Sequence, residues 1–373
     1  MRLRDIDFGR VLDASGARGW FGEGHPFHRW IPVGLSFSGS TFVAKTTTLE
    51  ARDPNHALAS DKQTPRVLRQ HCVRVDWRKG VVLNALGLPG PGLEALLAAG
   101  RWQRRTEPFF LSFRAIAQTA ERRLDEVGRF VRILKPALLN FAAPVGLQVN
   151  FSCPNIPHGE PSTDPAASFR AELDEYAALD VPLMVKLSVT QPVPEARAIA
   201  EHPACDAICV SNTIPWGEMA DRIDWSGLFG KSSPLARFGG GGLSGAPLLP
   251  LVAEWVAEAR RQGITVPINA GGGILRPADA DVLHRAGASS VFVGSIAILR
   301  GWRLARTIRH ANRLFAQEEA RELAAPRVGT PQRAVAQPTD GALRASQDAP
   351  SAEPLLRNPA SGESAVRSGG LSL

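Results

Sequence analysis

The chain is poor in sulfur: its 373 residues include four cysteines and three methionines. Cys72, Cys153, Cys205 and Cys209 form no CxxC pair, which argues against a zinc knuckle or an iron–sulfur cluster held by this chain, and no metal site is expected. Free thiols suit a reducing compartment. No apolar run approaches the roughly 18 residues that span a bilayer. No apolar h-region follows Met1-Arg2-Leu3-Arg4-Asp5, so a cytoplasmic location is expected. The absence of a GxGxxG after the first strand disfavours a Rossmann dinucleotide site. Acidic residues are the scarcer charge, 36 against 43 basic for a formal +7. The basic residues are scattered, with Arg104-Arg105 and Arg122-Arg123 the notable doublets of the body; a solvated Arg-rich surface is expected rather than a nucleic-acid partner. After Phe315 no aromatic residue remains. Residues 324–373 turn to Ala, Pro, Ser, Gly, Gln and Arg, too little apolar surface to offset chain entropy, and a disordered tail is expected there.

Strand-like runs recur with helical patterns between them. They are Ile31 to Phe37, Phe42 to Thr48, Pro108 to Phe113, Leu147 to Ser152, Pro182 to Ser188, Ala207 to Asn212, Val266 to Ala270 and Ser290 to Gly294. Several are continuously apolar, as strands covered on both faces must be. The pattern predicts an α/β fold, a (β/α)8 TIM barrel over residues 31–323 with its site at the C-terminal strand ends. Residues 1–30 read as an N-terminal extension packed across one end of the barrel. The connection after the second strand is long enough for an inserted hairpin, Val73 to Trp77 and Val81 to Asn84.

Chemistry concentrates at those strand ends. Asn150-Phe151-Ser152-Cys153-Pro154-Asn155 closes an apolar run with two carboxamides and a thiol, and Pro154 forces the chain out of the sheet. A buried Cys with two turn-forming Asn residues is the plainer account of that stretch taken alone. Lys45 and Lys186 lie inside apolar strands, where a cation is costly without a polar partner. Asn84 and Asn212 add amides. Gly239 to Gly245, Gly271 to Gly273 and Gly294-Ser295 free backbone N–H groups to approach an anion, and the last two follow strands seven and eight, where barrels recurrently build phosphate sites. Such a cavity suits a planar, hydrogen-bonding anion beside an electron-accepting ring.

Asn84-Ala85-Leu86-Gly87-Leu88-Pro89, Asn150 to Asn155, Val185-Lys186-Leu187, Ser211-Asn212-Thr213, Gly241 to Gly245 and Gly272-Gly273-Ile274 together resemble, in order, the motifs of the FMN-dependent dihydroorotate dehydrogenase family over roughly 31–302. The resemblance implies an FMN barrel that oxidises dihydroorotate to orotate in pyrimidine synthesis. Cys153 would be the base for the C5 proton, with Lys45 beside it. Asn84, Leu86, Gly87, Leu88, Asn150, Asn155, Asn212 and Thr213 would bind substrate. Ser38, Gly39, Lys45, Thr46, Asn150, Lys186, Gly245, Gly272, Gly273, Gly294 and Ser295 would bind FMN. A Cys base resembles the soluble branches of the family, while Gly242 to Gly245 and Ser211 to Thr213 look more like the membrane-associated Ser branch. Phe37 and Arg114 depart from the family pattern near the flavin. Alternatives are another FMN-dependent dihydropyrimidine oxidoreductase, a tRNA-dihydrouridine synthase and a non-catalytic barrel. The resemblance leaves the electron acceptor open among fumarate, NAD through a partner subunit, and a quinone, and it is compatible with a homo-oligomer.

Overall fold

The computed structural model describes residues 1–31, 33–55, 58–61, 63–64, 66, 70–152 and 165–324. Cys153, Asn155 and the tail from residue 325 lie outside the described residues.

Seven parallel strands form one sheet in the order Val11–Asp13, Ser290–Val293, Ile268–Ala270, Ala207–Val210, Leu183–Leu187, Val145–Asn150 and Phe109–Phe113. Residues 41–47 close it: Thr41 bridges Leu12 on one edge, and Val43 and Thr47 bridge Phe110 and Phe113 on the other, all in parallel. Eight staves therefore make a closed barrel with helices outside, among them Ala120–Leu138, Leu248–Arg261 and Leu304–Ala324. The lower interior is filled by Phe8, Leu12, Val43, Phe110, Met184, Cys209 and Phe292, and the Phe8 and Phe110 rings meet at 4.2 Å. That plug makes the barrel a core, not a pore, and leaves only its upper mouth for chemistry.

The first strand is a correction. Ile31 to Phe37, expected as strand one, forms no strand among its described residues: Gly34 has φ 81°, and a proline in the sequence of a run argues against a central strand. The three-residue run Val11-Leu12-Asp13 takes the place instead, within the segment read as an extension, and its shortness hid it from a periodicity argument. The inserted hairpin is present. Val73–Asp76 and Val81–Asn84 pair antiparallel and continue into Gly242–Gly245 and Ile214–Pro215 as a small four-stranded sheet.

Candidate active site

Alternation along the staves carries the plug side up to polar residues at the mouth. Above Phe110, Met184 and Cys209 come Ser112, Lys186 and the turn after Val210, and Asn150 ends its own strand. Asn150 is buried and held from two sides: its Nδ2 donates to Thr46 Oγ1 at 3.2 Å, and its Oδ1 accepts from Asn212 Nδ2 at 2.9 Å. Asn212 Nδ2 also reaches Ser152 Oγ at 3.3 Å, while its Oδ1 takes the amide of Thr213 at 3.0 Å. Thr46 Oγ1 in turn lies 2.9 Å from both Ser112 Oγ and Ser15 Oγ. One chain of hydrogen bonds thus links five strand ends, so each amide is fixed in rotamer and in O/N orientation.

Ser15 belongs to this network, and sequence reasoning missed it. Its hydroxyl donates to the Ala44 carbonyl at 2.8 Å. The signal was Ala14-Ser15-Gly16 directly after an apolar run, legible only once Val11–Asp13 is recognised as a strand. Asp13 anchors that turn: it is buried, takes Arg18 Nε at 2.6 Å and Ser40 Oγ at 2.7 Å, and burial lifts its carboxyl to about 6 against the pull of Arg18.

Lys45 is half-buried, with its Nζ 3.9 Å from the centroid of the Trp20 ring and donating to the Pro89 carbonyl. It ties the 85–89 loop to the barrel. Desolvation pulls its ammonium down to about 7, countered by Glu23. Lys186 is buried, its Nζ 5.9 Å from the Phe292 ring centroid. Among the described residues no carboxylate pairs with either lysine, so both cations are available to an anion.

Asn84 ends the Val81–Asn84 strand opposite Gly242, whose carbonyl accepts from its Nδ2 at 3.4 Å. Leu86, Gly87 and Leu88 form the loop beyond it, with Gly87 at φ 75° and Leu88 at φ 58°. Asn55 Nδ2 donates to the Ala85 carbonyl at 2.8 Å and braces the loop. The glycines gather on the opposite side. A Cβ on Gly273 would stand 2.7 Å from Leu249 N and 2.8 Å from Gly245 O, and one on Gly294 2.7 Å from the Ala14 Cβ. Only glycine fits backbones packed this closely. Among the described residues the amides of Gly272, Gly273, Gly294 and Ser295 have no acceptor. Four unpaired amides at neighbouring strand ends are what a phosphate group requires.

Ser38 and Gly39 are not part of the mouth. The Gly39 carbonyl accepts from Asn312 Nδ2 at 2.7 Å, against the Leu304–Ala324 helix, and Phe37 packs on Arg18 and His28 rather than at the strand ends. A first strand at Ile31–Phe37 would carry them to the mouth, but the strand that occupies that place is Val11–Asp13. Arg114 braces the site from behind, donating to the Asn150 carbonyl at 2.9 Å. Cys205 and Cys209 are buried, and burial pushes both thiols up to about 12; Cys72 is raised as well, also by burial. These three are structural thiols, inert as bases near neutrality.

The fold and mouth define an α/β-barrel enzyme that takes a phosphate-bearing cofactor. Comparison with known proteins agrees. A family model described as dihydroorotate dehydrogenase matches residues 9–312. The dihydroorotate dehydrogenase B (NAD(+)) catalytic subunit of Cutibacterium acnes is 32% identical over 290 residues, 76% of this chain and 82% of that one. Its counterpart from Pelobacter propionicus is 33% identical over 295 residues, covering 78% and 84%. Dihydroorotate dehydrogenase A (fumarate) of Lactiplantibacillus plantarum is 32% identical over a shorter 219 residues, 57% of this chain and 66% of that one. Among solved structures, ligand-free dihydroorotate dehydrogenase of Eimeria tenella superposes with a TM-score of 0.59 at 20% identity, covering 86% of this chain and 88% of that one, a likeness of fold. The chain belongs to the dihydroorotate dehydrogenase family. It is an FMN-dependent oxidoreductase acting on a CH–CH bond. No helix among the described residues is long and apolar enough to cross a membrane.

Proposed function

We propose that this chain oxidises dihydroorotate to orotate, with the base, substrate and cofactor residues drawn from the barrel mouth. The observation that carries the reading is the hydrogen-bonded run Asn212–Asn150–Thr46 at the strand ends. It presents fixed amides to a ring whose edge is itself a series of amides.

The chain's residues divide the work. Asn84, Asn150, Asn155 and Asn212, with Thr213 and the 86–88 backbone, bind the ring. Lys45 takes the carboxylate. Cys153, as thiolate, removes the C5 proton while the C5–C6 double bond forms. The amides of Gly272, Gly273, Gly294 and Ser295, with the close backbone approach at Gly245, fit the phosphate of FMN, and Thr46 and Lys186 fit its ring. FMN bound there supplies the acceptor for the hydride that leaves C6. Lys186, buried and without a carboxylate partner among the described residues, offsets negative charge gained by that acceptor. Electrons then leave through a partner subunit. The NAD(+)-type relatives, which carry the words "catalytic subunit", match more of this chain than the fumarate-type relative does, and the sequence holds no iron–sulfur cysteine set of its own.

Heat-released chromophore tests the cofactor. It should be FMN at close to one per chain; FAD, or no chromophore after saturation with FMN, would remove the phosphate site from the account. Reoxidation of the substrate-reduced chain tests the acceptor. NAD+ should act slowly on this chain alone, and rapid reoxidation by fumarate would exclude the partner.

Lys45 gives the reading a pH dependence. Its folded value of about 7 lies below the ordinary 10.5, so the folded chain binds fewer protons than the unfolded chain between those limits. Burial of Lys45 therefore opposes folding most below about 7, and that penalty is relieved as pH rises through the window. A bound carboxylate wants the ammonium form. Orotate should accordingly bind progressively more weakly as pH rises above about 7, approaching tenfold per pH unit if Lys45 alone is responsible. Titration of the flavin spectrum with orotate between pH 6 and about 9 measures it. A pH-independent affinity would take Lys45 out of carboxylate binding.

A further inference from the structure

Lys45, the partner proposed for the substrate's carboxylate, lies under a strap formed by residues 16–23. Its backbone N donates to the Gly19 carbonyl at 2.9 Å, and a Cβ on Gly16 would stand 3.4 Å from its Cγ. Gly16, Gly19 and Gly22 have φ of 86°, 77° and 94°, a backbone that lets the strap double back this closely. Trp20 is the side chain it delivers. The indole is 4% exposed, its ring centroid is 3.9 Å from Lys45 Nζ, and it also meets the loop beyond Pro89, where a Cβ on Gly90 would stand 3.0 Å from Cζ2.

The ring is held so that it cannot turn away. Glu23 accepts the Trp20 amide at 3.1 Å and the Phe21 amide at 2.8 Å, the buried Trp102 donates from Nε1 to the Trp20 carbonyl at 2.6 Å, and Arg105 donates to the Phe21 carbonyl at 3.2 Å. Bonds on both sides thus fix the backbone that carries it. An ammonium has three N–H donors. On Lys45 one goes to the Pro89 carbonyl and the indole face covers a flank, so the ring decides where the remaining charge points.

We propose that Trp20 is a positioning residue for the reaction: its face keeps the Lys45 ammonium charged and aimed at the substrate's carboxylate, and so sets the preference for a carboxylate-bearing dihydropyrimidine. This rests on Lys45 being the carboxylate's partner. A cation gains most from an indole face where water is excluded, and Lys45 is such a cation, since burial draws its ammonium down to about 7 while Glu23 pulls the other way. The other groups around it do not replace the ring. His25, with Nε2 2.8 Å from the Gly16 carbonyl, is lowered by burial from its ordinary 6.5 and is neutral at pH values above that. Arg52, which donates to the Gly87 carbonyl of the neighbouring loop at 3.4 Å, stays a cation throughout this range. Without the indole, Glu23 and the Pro89 carbonyl alone oppose the desolvation of Lys45.

Titration of the flavin spectrum of the FMN-loaded full-length chain with orotate, as a function of pH, tests this, with flavin reduction by dihydrouracil as the control that lacks a carboxylate. Trp20→Met fills the space with a flexible side chain and removes the face. It should lower the midpoint at which orotate binding weakens by about one pH unit, a loss of about tenfold in affinity at about pH 8. Dihydrouracil should reduce variant and wild type at the same rate, since Lys45 has nothing to hold there. Trp20→Phe keeps a smaller face and should fall between the two; where the methionine variant fails to hold FMN, the downward shift in the phenylalanine variant decides alone. An unchanged midpoint in the variant that folds would overturn the proposal. So would a dihydrouracil rate that falls in step with orotate affinity, because Trp20 would then only hold the fold together. A wild-type affinity for orotate that ignores pH overturns it as well, but by taking Lys45 away from the carboxylate, which separates failure of that reading from failure of the role given to Trp20.

Discussion

Replacing Cys153 with Ala should slow reduction of the flavin by dihydroorotate on the order of 10²-fold or more, the usual contribution of a positioned base, equivalent to about 2.7 kcal/mol of barrel-mouth transition-state stabilisation. FMN should stay bound and substrate affinity should stay within a few-fold, because the cofactor and substrate contacts come from other residues. Cys153 is the one thiol left to consider. Cys205 and Cys209 are pushed up to about 12 by burial and Cys72 is raised too, while Cys153 follows the strand that ends in Asn150. A thiol with a reference value near 8.5 is usable as a base near neutrality, so the wild-type rate should climb with pH as thiol becomes thiolate. Cys153→Ser should keep a remnant that grows with pH, since an alcohol gives up its proton far less readily. Stopped-flow bleaching of the flavin reads all three proteins. An alanine variant that reduces at the wild-type rate across that pH range would mean another group takes the proton.

The second large effect is expected at Asn150. Its side chain bridges Thr46 at 3.2 Å and Asn212 at 2.9 Å, so Asn150→Ala removes both contacts and leaves buried polar groups on either side. The unsatisfied groups should cost about 1–3 kcal/mol of stability. The catalytic loss should be larger in proportion. Misplacement by about 1 Å in a preorganised site costs on the order of 10²-fold, and kcat/KM for dihydroorotate should fall by about that factor. Steady-state kinetics with a parallel melt separates the two. Efficiency within a few-fold of wild type would show that the amide network holds the strands together without orienting substrate.

The sequence made the barrel legible through its later strands, whose continuous apolar runs and following glycine or Asn residues mark buried parallel strands and their catalytic ends. Asn150, Lys186, Asn212 and the loops at Gly272 and Gly294 all stand where that pattern puts them, as do the hairpin strands Val73–Asp76 and Val81–Asn84. The first strand was not legible, and the reason is local. Three residues cannot establish a period, and Ile31 to Phe37 offered a longer apolar run nearby. That one shift carried Ser38, Gly39 and Phe37 to the wrong place and hid Ser15. The environment of Lys45 was illegible for a different reason: its partners, Trp20 and the Pro89 carbonyl, are distant in sequence, and no spacing rule relates them.

Anaerobic mixing of the purified flavoprotein with dihydroorotate, and in parallel with dihydrouracil, which lacks the carboxylate, tests the central claim most directly. Dihydroorotate should bleach the flavin fully, and dihydrouracil should do so on the order of 10²-fold more slowly, since Lys45 then has no anion to hold and the ring loses its orientation. Equal rates, or a flavin that dihydroorotate leaves oxidised, would contradict the account.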